Sequence, residues 1–195
     1  MSNDHISADT AQSMATDSKT KTRRIVKIAM MAAIALGFSF IPSIPVLPGV
    51  DFIRYEFSDL PILIATFAYG TPAGLIVAAV SIVLNFFLGG AESGPYGMIM
   101  HFIAIGAYLV AAGLIYRHKK TMKSALIGML VGIVVMTVVM IPANLFITPY
   151  FMGAPRSAVV SLLIPAIIPV NLIKGLISAV LSFILYKRVS GFLHK

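Results

Sequence analysis

The sequence predicts an all-α integral membrane protein with six transmembrane helices and with both the N- and C-termini in the cytoplasm. Of its 195 residues, 58% are hydrophobic and 11% are charged, whereas soluble domains average about 45–50% and ~25%. The apolar residues fall in successive segments separated by short breaks, and the basic residues collect at alternate breaks. This composition disfavours a soluble enzyme, a disordered protein and a nucleic-acid-binding domain.

The chain divides into a short tail and one membrane domain. Residues 1–22 are rich in Ser, Thr, Asp and Asn and contain no apolar run, so we expect a disordered polar cytoplasmic tail there. Residues 23–195 are predicted to form a six-helix membrane substrate-binding domain. The predicted segments are 25–41, 59–69, 72–88, 96–116, 124–148 and 158–186.

Two of these segments depart from the length of a simple span, which is about 20 apolar residues. The second, 59–69, is too short to cross unless neighbouring loop residues extend it. The sixth is long and is interrupted by Pro165 and Pro169. Because proline removes a backbone donor and clashes with the preceding turn, regular helix is expected to begin near Pro169.

The breaks between segments carry turn-forming residues. The run Gly70-Thr71-Pro72 predicts a tight turn between the second and third segments. Residues 89–95 and residues 42–58 are predicted loops, and the second of these is the longest. A long loop on a compact scaffold is often functional.

The distribution of basic residues predicts the orientation in the membrane. Twelve of the 15 Lys and Arg residues lie before or at the start of the first segment, between the fourth and fifth, or after the sixth. Six crossings place all three locations on one side, and the positive-inside rule makes that side cytoplasmic. The net charge of +8 is therefore explained by topology, and no nucleic-acid partner is needed.

Lys174 is the only charged residue inside the sixth segment. A lysine within a span costs at least ~2.5–3.5 kcal/mol and normally faces a cavity or a partner. Asn171 lies three residues earlier on the same helix face, and Asn144 lies near the outer end of the fifth segment. Together they offer a charged donor and two amides for a ligand with a donor–acceptor edge. Alternatively, Lys174 reaches outward to solvent and the asparagines join helices.

Other polar residues on the outer side have two interpretations each. Asp59 follows Ser58, which predicts an N-cap and a first-turn carboxylate, with ligand contact as the alternative. Glu56 is either a ligand contact or a solvated loop residue, and Asn85 is similarly ambiguous. His101, at depth in the fourth segment, is expected to pack or hydrogen-bond, with a proton relay as the alternative.

The sequence contains none of the common motifs for metal binding, ATP binding or hydrolysis. The chain has no cysteine, and no metal-ligand spacing is visible, so no metal site is predicted. It contains no G-x-x-x-x-G-K-[ST] loop for ATP, and neither G-x-S-x-G nor H-E-x-x-H. No catalytic residues and no cofactor are therefore predicted, and an enzyme is not expected.

The first segment contains a small-residue pattern, with Ala29 and Ala33 four residues apart on one helix face. Such a stripe lets another helix approach closely. The partner is either another helix of the chain or a second protein.

These residues resemble a known family, the S components of energy-coupling factor (ECF) vitamin transporters. The resemblance covers about residues 24–190, through the six short helices, Ala29-x-x-x-Ala33 and the run from Glu56 to Pro61. The stretches 142–150 and 168–175, with Asn144, Asn171 and Lys174, resemble the riboflavin-specific members. Tyr150, which ends the first stretch, is a further candidate ligand contact.

The resemblance implies a function and a set of partners. The protein would bind riboflavin from outside, with Asn144, Asn171 and Lys174 on the polar edge of the flavin and the 42–58 loop over the site. Ala29 and Ala33 would meet a transmembrane coupling subunit (EcfT), and two ATPase subunits would supply the energy. The S component would topple in the membrane to release the vitamin. The location would be a prokaryotic plasma membrane.

Other functions remain open from the sequence alone. The ligand could be another vitamin or a related flavin such as FMN, since one scaffold carries several ligands. A standalone secondary carrier would use His101 or Lys174 as its coupling group. A structural subunit without a ligand would use Lys174 only for assembly.

Overall fold

The computed structural model describes the backbone of residues 3–46, 54–89 and 94–193, and the side chains of residues 18–46, 54–89 and 94–185. Within these ranges the chain is helical except for short connections and a two-stranded hairpin. The elements in chain order are α1 Asn3–Ser39, β1 Ile44–Pro45, β2 Arg54–Tyr55, α2 Asp59–Tyr69, α3 Thr71–Phe87, α4 Gly94–His118, α5 Met122–Met152, α6 Arg156–Leu162, a π-helical turn Leu163–Ile167 and α7 Ile168–Leu193.

The helices form one bundle around a shared core. Helices α4 and α5 make the most extensive pair, and α5 also packs against α7. Helix α3 contacts α1, α2 and α4, and α2 reaches α7. The fully buried side chains of Ile62, Leu63, Val77 and Leu109 lie in this core, so the short helix α2 is enclosed by its longer neighbours.

Small residues set the spacing of the central helices. A Cβ placed on Gly128 of α5 would lie 2.7 Å from the carbonyl oxygen of Ala112 on α4. A Cβ on Gly132, one turn later, would overlap the ring of Tyr108. Without a hydrophobic driving force between helices in lipid, such close approach supplies the van der Waals contact that holds helices together.

Local sequence explains where several helices begin and end. Gly70 alone separates α2 from α3, at a φ of 94° that favours glycine. This confirms the predicted turn, and Pro72 follows in the first turn of α3. Thr121 caps α5 by accepting a hydrogen bond from the Ser124 amide at 3.2 Å. Gly153 ends α5 in the left-handed region, at a φ of 60°.

The predicted interruption of the sixth segment is present. Helix α6 ends at Leu162, the π-helical turn contains Pro165, and regular helix resumes at Ile168. The missing amide of Pro165 and its ring clash account for the irregular turn. Helix α7 thus begins one residue before Pro169, where the sequence predicts it.

Three helical stretches of the described residues are long and apolar enough to cross a membrane: Gly94–His118, Met122–Met152 and Arg156–Leu185. Helices α2 and α3 are apolar but shorter, with 11 and 17 residues. Apolar side chains midway along α5 face outward, with Val134 57% and Val138 58% exposed. An apolar surface of this kind is what lipid contact requires. The fold is therefore that of an all-α membrane protein, with a short hairpin as an addition.

The N-terminal region differs from the expected disordered tail, because α1 begins at Asn3. Residues 3–22 contain neither glycine nor proline, so nothing interrupts a helix that continues from the apolar part of α1. The cytoplasmic position of this region stays a prediction. Residues 47–53 of the long loop and residues 90–93, including Glu92, lie outside the described residues.

The contact at Gly128 predicts a large stability difference between two glycine substitutions. Gly128→Ala should lower the unfolding midpoint in detergent, because the new methyl group meets the backbone of α4. Overpacking of this kind costs about 1–3 kcal/mol, more than the ~0.5–1 kcal/mol that alanine gains in a helix. The matched control is Gly106→Ala, whose Cβ would have 3.9 Å to its nearest neighbour. A Gly128→Ala protein as stable as the control would contradict the close contact.

Candidate ligand-binding site

A cavity of about 340 Å³ lies at one end of the bundle, within the ~300–1,000 Å³ typical of small-molecule sites. Its walls come from the end of α1, the hairpin, the end of α3, the start of α4, the end of α5 and the start of α7. Its apolar surface includes Phe40, Ile82, Met98, Met140, Ile147 and Phe151. Such a site offers apolar contact over most of its area and a few polar groups at fixed places.

The structure brings Asn144, Asn171 and Lys174 to this one cavity. On α5, the Asn144 amide nitrogen donates to the Met140 carbonyl at 2.8 Å, and its oxygen accepts from the Thr148 hydroxyl at 2.9 Å. On α7, the Asn171 amide nitrogen donates to the Ile167 carbonyl at 2.7 Å. Each amide group has two N–H donors, so one bond fixes its orientation and leaves the other donor for a ligand.

Asn85, at the end of α3, supplies an acceptor on another wall of the cavity. The residue is 7% exposed, and its side-chain oxygen is buried with no hydrogen-bond partner among the described residues. A buried oxygen without a donor is costly. A ligand N–H or O–H group in the cavity would remove that cost.

Four ionisable residues form a connected group at the cavity, here called the charge network. Glu56, His101 and Lys174 line the cavity, and Asp59 lies behind them. His101 Nδ1 lies 3.0 Å from Glu56 Oε2, and His101 Nε2 lies 2.8 Å from Asp59 Oδ1. The Lys174 ammonium nitrogen lies 3.8 Å from Asp59 Oδ2. The imidazole therefore joins the loop before α2 to α2 itself, and Asp59 joins both to α7.

The geometry of His101 favours the charged form of its ring. Both ring nitrogens lie within hydrogen-bond distance of a carboxylate oxygen, which can only accept. With Glu56 and Asp59 both ionised, both nitrogens donate and the ring is an imidazolium. Two cations then face two carboxylates, and the charge network is neutral, as a buried site requires.

The loop side of the cavity is held by the hairpin. Ile44 pairs with Tyr55 and Pro45 with Arg54. The Arg54 guanidinium donates to the Ser43 hydroxyl at 2.7 Å and to the Ser43 carbonyl at 2.6 Å. The Tyr55 hydroxyl accepts a hydrogen bond from Ser178 of α7 at 3.4 Å. The first contacts join the two strands to each other, and the hydrogen bond between Ser178 and Tyr55 attaches the hairpin to the bundle.

Burial and nearby charges shift the pKa values of two residues beside the cavity, Glu56 and Tyr55. Burial by itself raises the pKa of Glu56, but the His101 cation and the Lys174 ammonium outweigh it and lower that pKa to about 2. Burial raises the pKa of the Tyr55 phenol, and the Asp59 charge raises it further. Glu56 is therefore a carboxylate, and Tyr55 a neutral phenol, across the physiological range of pH.

One expectation needs correction, and the structure also shows where Asp59 and Tyr150 lie. Ser58 makes no capping hydrogen bond from its side chain, and its hydroxyl is buried without a partner among the described residues. Asp59 is in the first turn of α2 but is committed to His101 and Lys174, so it lies behind the cavity instead of lining it. Tyr150 is 70% exposed, because its place on α5 is turned away from the face that carries Asn144 and Thr148.

The small residues of α1 lie on two different faces of the helix. Ala32 and Ala35 are buried against the bundle. Ala29 and Ala33 are exposed, and so is Gly37, four residues further on. A Cβ on Gly37 would meet nothing within 4 Å. The stripe that contains Ala29 and Ala33 is therefore not used for packing within the described chain.

Sequence reasoning missed the links from His101 to Glu56 and Asp59. One signal was available, since a lysine at depth requires a counter-charge and few acidic residues lie on the same side. The pairing itself depends on how the loop folds back over α4. Within the described residues, no three His, Asp or Glu side chains are grouped to hold a metal ion.

Comparison with known proteins gives consistent matches. Residues 23–186 match the family model described as "ECF transporter, substrate-specific component". The riboflavin transporter RibU of Staphylococcus aureus is 34% identical over 182 residues, which cover 90% of this chain and 94% of the relative. The riboflavin transporter FmnP of Bacillus subtilis is 28% identical over 188 residues, with 90% and 96% covered.

A solved structure agrees with these matches. It is described as the S component of a bacterial ECF transporter and superposes with a TM-score of 0.79 at 32% identity, covering 90% of this chain and 99% of that one. The relatives are transporter components and not enzymes, and they do not favour a standalone carrier. The chain is a multi-pass membrane protein of bacterial type, and it belongs to the family of substrate-specific components of ECF transporters.

Proposed function

We propose that this S component captures riboflavin from outside the cell for ATP-driven uptake by partner subunits. The observation that carries the proposal is the convergence of Asn144, Asn171 and Lys174 in one largely apolar cavity. The names of the two relatives, both riboflavin transporters, support the choice of ligand.

The chemistry of the cavity suits a flavin. A flavin presents a broad apolar plane and an edge of alternating donors and acceptors. The apolar walls take the plane, and the two amides and the ammonium take the edge. Asn85 adds an acceptor for a donor elsewhere on the ligand, and Glu56, 31% exposed at its side chain, borders the same space. Riboflavin is thus a transported ligand and not a cofactor.

We further propose six membrane crossings with both termini in the cytoplasm. Helices α1 to α3 supply three crossings, α4 and α5 two more, and the stretch from α6 through α7 the sixth. The positive-inside distribution supports this orientation, and it puts the cavity on the outer side.

The face of α1 that carries Ala29, Ala33 and Gly37 is proposed to meet the transmembrane coupling subunit. All three residues are exposed at intervals of four, which suits close helix packing. Two ATPase subunits would complete the transporter, since this chain has no nucleotide-binding loop of its own. Toppling of the S component within the membrane would then release the vitamin inside.

The ligand is identified by what co-purifies. The purified protein is expected to carry one yellow, fluorescent flavin, or to bind added riboflavin with nanomolar-scale affinity, as measured by absorbance and mass spectrometry. Lys174→Met should weaken binding about 10- to 100-fold, the cost of one charged hydrogen bond. Tyr150→Ala is the matched control and should change affinity less than twofold. A different vitamin as the sole ligand would exclude riboflavin.

The orientation is tested with single cysteines, because the native chain has none. A cysteine at Lys120, between α4 and α5, should react with an impermeant maleimide only after the cells are permeabilised. A cysteine at Gly153, after α5, should react in intact cells. The opposite pattern of labelling would show that the protein has the reverse orientation in the membrane.

The partner face is tested by a bulky substitution that leaves the cavity intact. Ala33→Phe should abolish co-purification with the coupling subunit and uptake into cells, while ligand affinity in the isolated protein stays within about twofold. Ile34→Phe, at the adjacent position on α1, is the control and should retain uptake. Normal uptake by the Ala33→Phe protein would show that this face is not the interface.

A further inference from the structure

We propose that His101 is a positioning residue that sets the place of the cavity loop and the place of the Lys174 ammonium together. His101 acts through Glu56 on one side and through Asp59 on the other. The ligand-affinity part of this inference rests on the proposed function, whereas the loop part does not.

The His101 imidazolium contacts residues of two other parts of the chain. His101 is on α4, Asp59 is on α2, and Glu56 is on the loop between β2 and α2. The two ring nitrogens bond to the two carboxylates on opposite sides of the ring, at 3.0 and 2.8 Å. A neutral imidazole has one N–H and would hold only one of these carboxylates. The link from loop to helix therefore exists only while the ring is charged.

Glu56, and not Asp59, would move if the His101 cation were removed. Without His101, the charge network would hold two carboxylates against one ammonium, which leaves a buried negative charge. The Asp59 side chain is 3% exposed and lies in a helix, while that of Glu56 is 31% exposed and lies in a loop. Glu56 can reach water by a local movement, so the loop is the part that is released.

The position of the Lys174 ammonium depends on how Asp59 is shared. In the intact network Asp59 is shared, with one oxygen 2.8 Å from His101 and the other 3.8 Å from the Lys174 ammonium. The longer distance leaves the ammonium available at the cavity wall, where Lys174 is one of the lining residues. With His101 removed, Lys174 becomes the one cation beside Asp59 within the network, and the ammonium is drawn away from the ligand.

The loop part is tested in the ligand-free protein by hydrogen–deuterium exchange. His101→Gln keeps a polar side chain but removes the cation. We expect residues 54–58 to exchange about tenfold faster in this variant, because one partner of a buried charge pair has been lost. Thr137→Val is the matched control, since it removes a buried hydroxyl of α5 that does not line the cavity. It should leave exchange at 54–58 unchanged.

Glu56→Gln provides an independent route to the same loss and guards against a His101→Gln protein that does not fold. It should accelerate exchange at 54–58 by a similar factor. In the double variant the two effects should not multiply, because both substitutions remove one shared link. Multiplying effects, or unchanged exchange in the Glu56→Gln protein, would overturn the loop part.

The ligand part is tested by chasing bound riboflavin and following flavin fluorescence. His101→Gln should raise the dissociation rate about tenfold or more and leave the association rate within about twofold. Glu56→Gln, which retains the His101–Asp59 contact, should raise it less. Equal dissociation rates in wild type and His101→Gln would refute the ligand part. Failure of the wild-type protein to bind riboflavin would refute the proposed function and leave the exchange result standing.

Discussion

The cavity end of this bundle depends on the presence of one buried ammonium group. Lys174 is 7% exposed in the first half of α7, where residues 168–186 are otherwise uncharged, and a charge in such surroundings persists only with a counter-charge. Asp59 provides it, and Asp59 is in turn held by His101 and, through His101, by Glu56. One charge thus fixes the relative positions of α2, α4, α7 and the loop.

The same requirement explains the placement of α2. This helix has only 11 residues, too few to cross a membrane without help, yet most of its side chains are buried. It places Asp59 at the cavity end of the bundle in its first turn, where Lys174 and His101 converge. At the other end of α2, Gly70 alone connects it to α3, so no longer loop is needed there.

The sequence predicted those parts of the structure that depend on local rules. The bounds of α2, the turn at Gly70 and the restart of helix near Pro169 each follow from a residue type whose backbone preferences are strong. The convergence of Asn144, Asn171 and Lys174 followed from helix spacing and the cost of a buried charge. The pairing of His101 with Glu56 and Asp59 did not follow, because it joins residues 42 or more positions apart through the path of a loop. Tyr150 became a candidate through the stretch 142–150 that carries the resemblance, and a stretch of sequence does not specify a helix face: six positions along a helix correspond to a large rotation from Asn144.

The contact between α4 and α5 at Gly128 and Gly132 has a mechanical consequence for the cavity. Where backbone meets backbone there are no flexible side chains to absorb a displacement, and the two helices move as one stiff plate. This plate forms one wall of the cavity, with Asn144 and Thr148 upon it. Another wall is the two-stranded hairpin with Glu56, which a few polar contacts attach to the helices. The hairpin wall of the cavity is therefore easier to deform than the α4–α5 wall. On the proposed function, a bound flavin would therefore press mainly on the hairpin wall, while the α4–α5 plate keeps Asn144 and Thr148 in register.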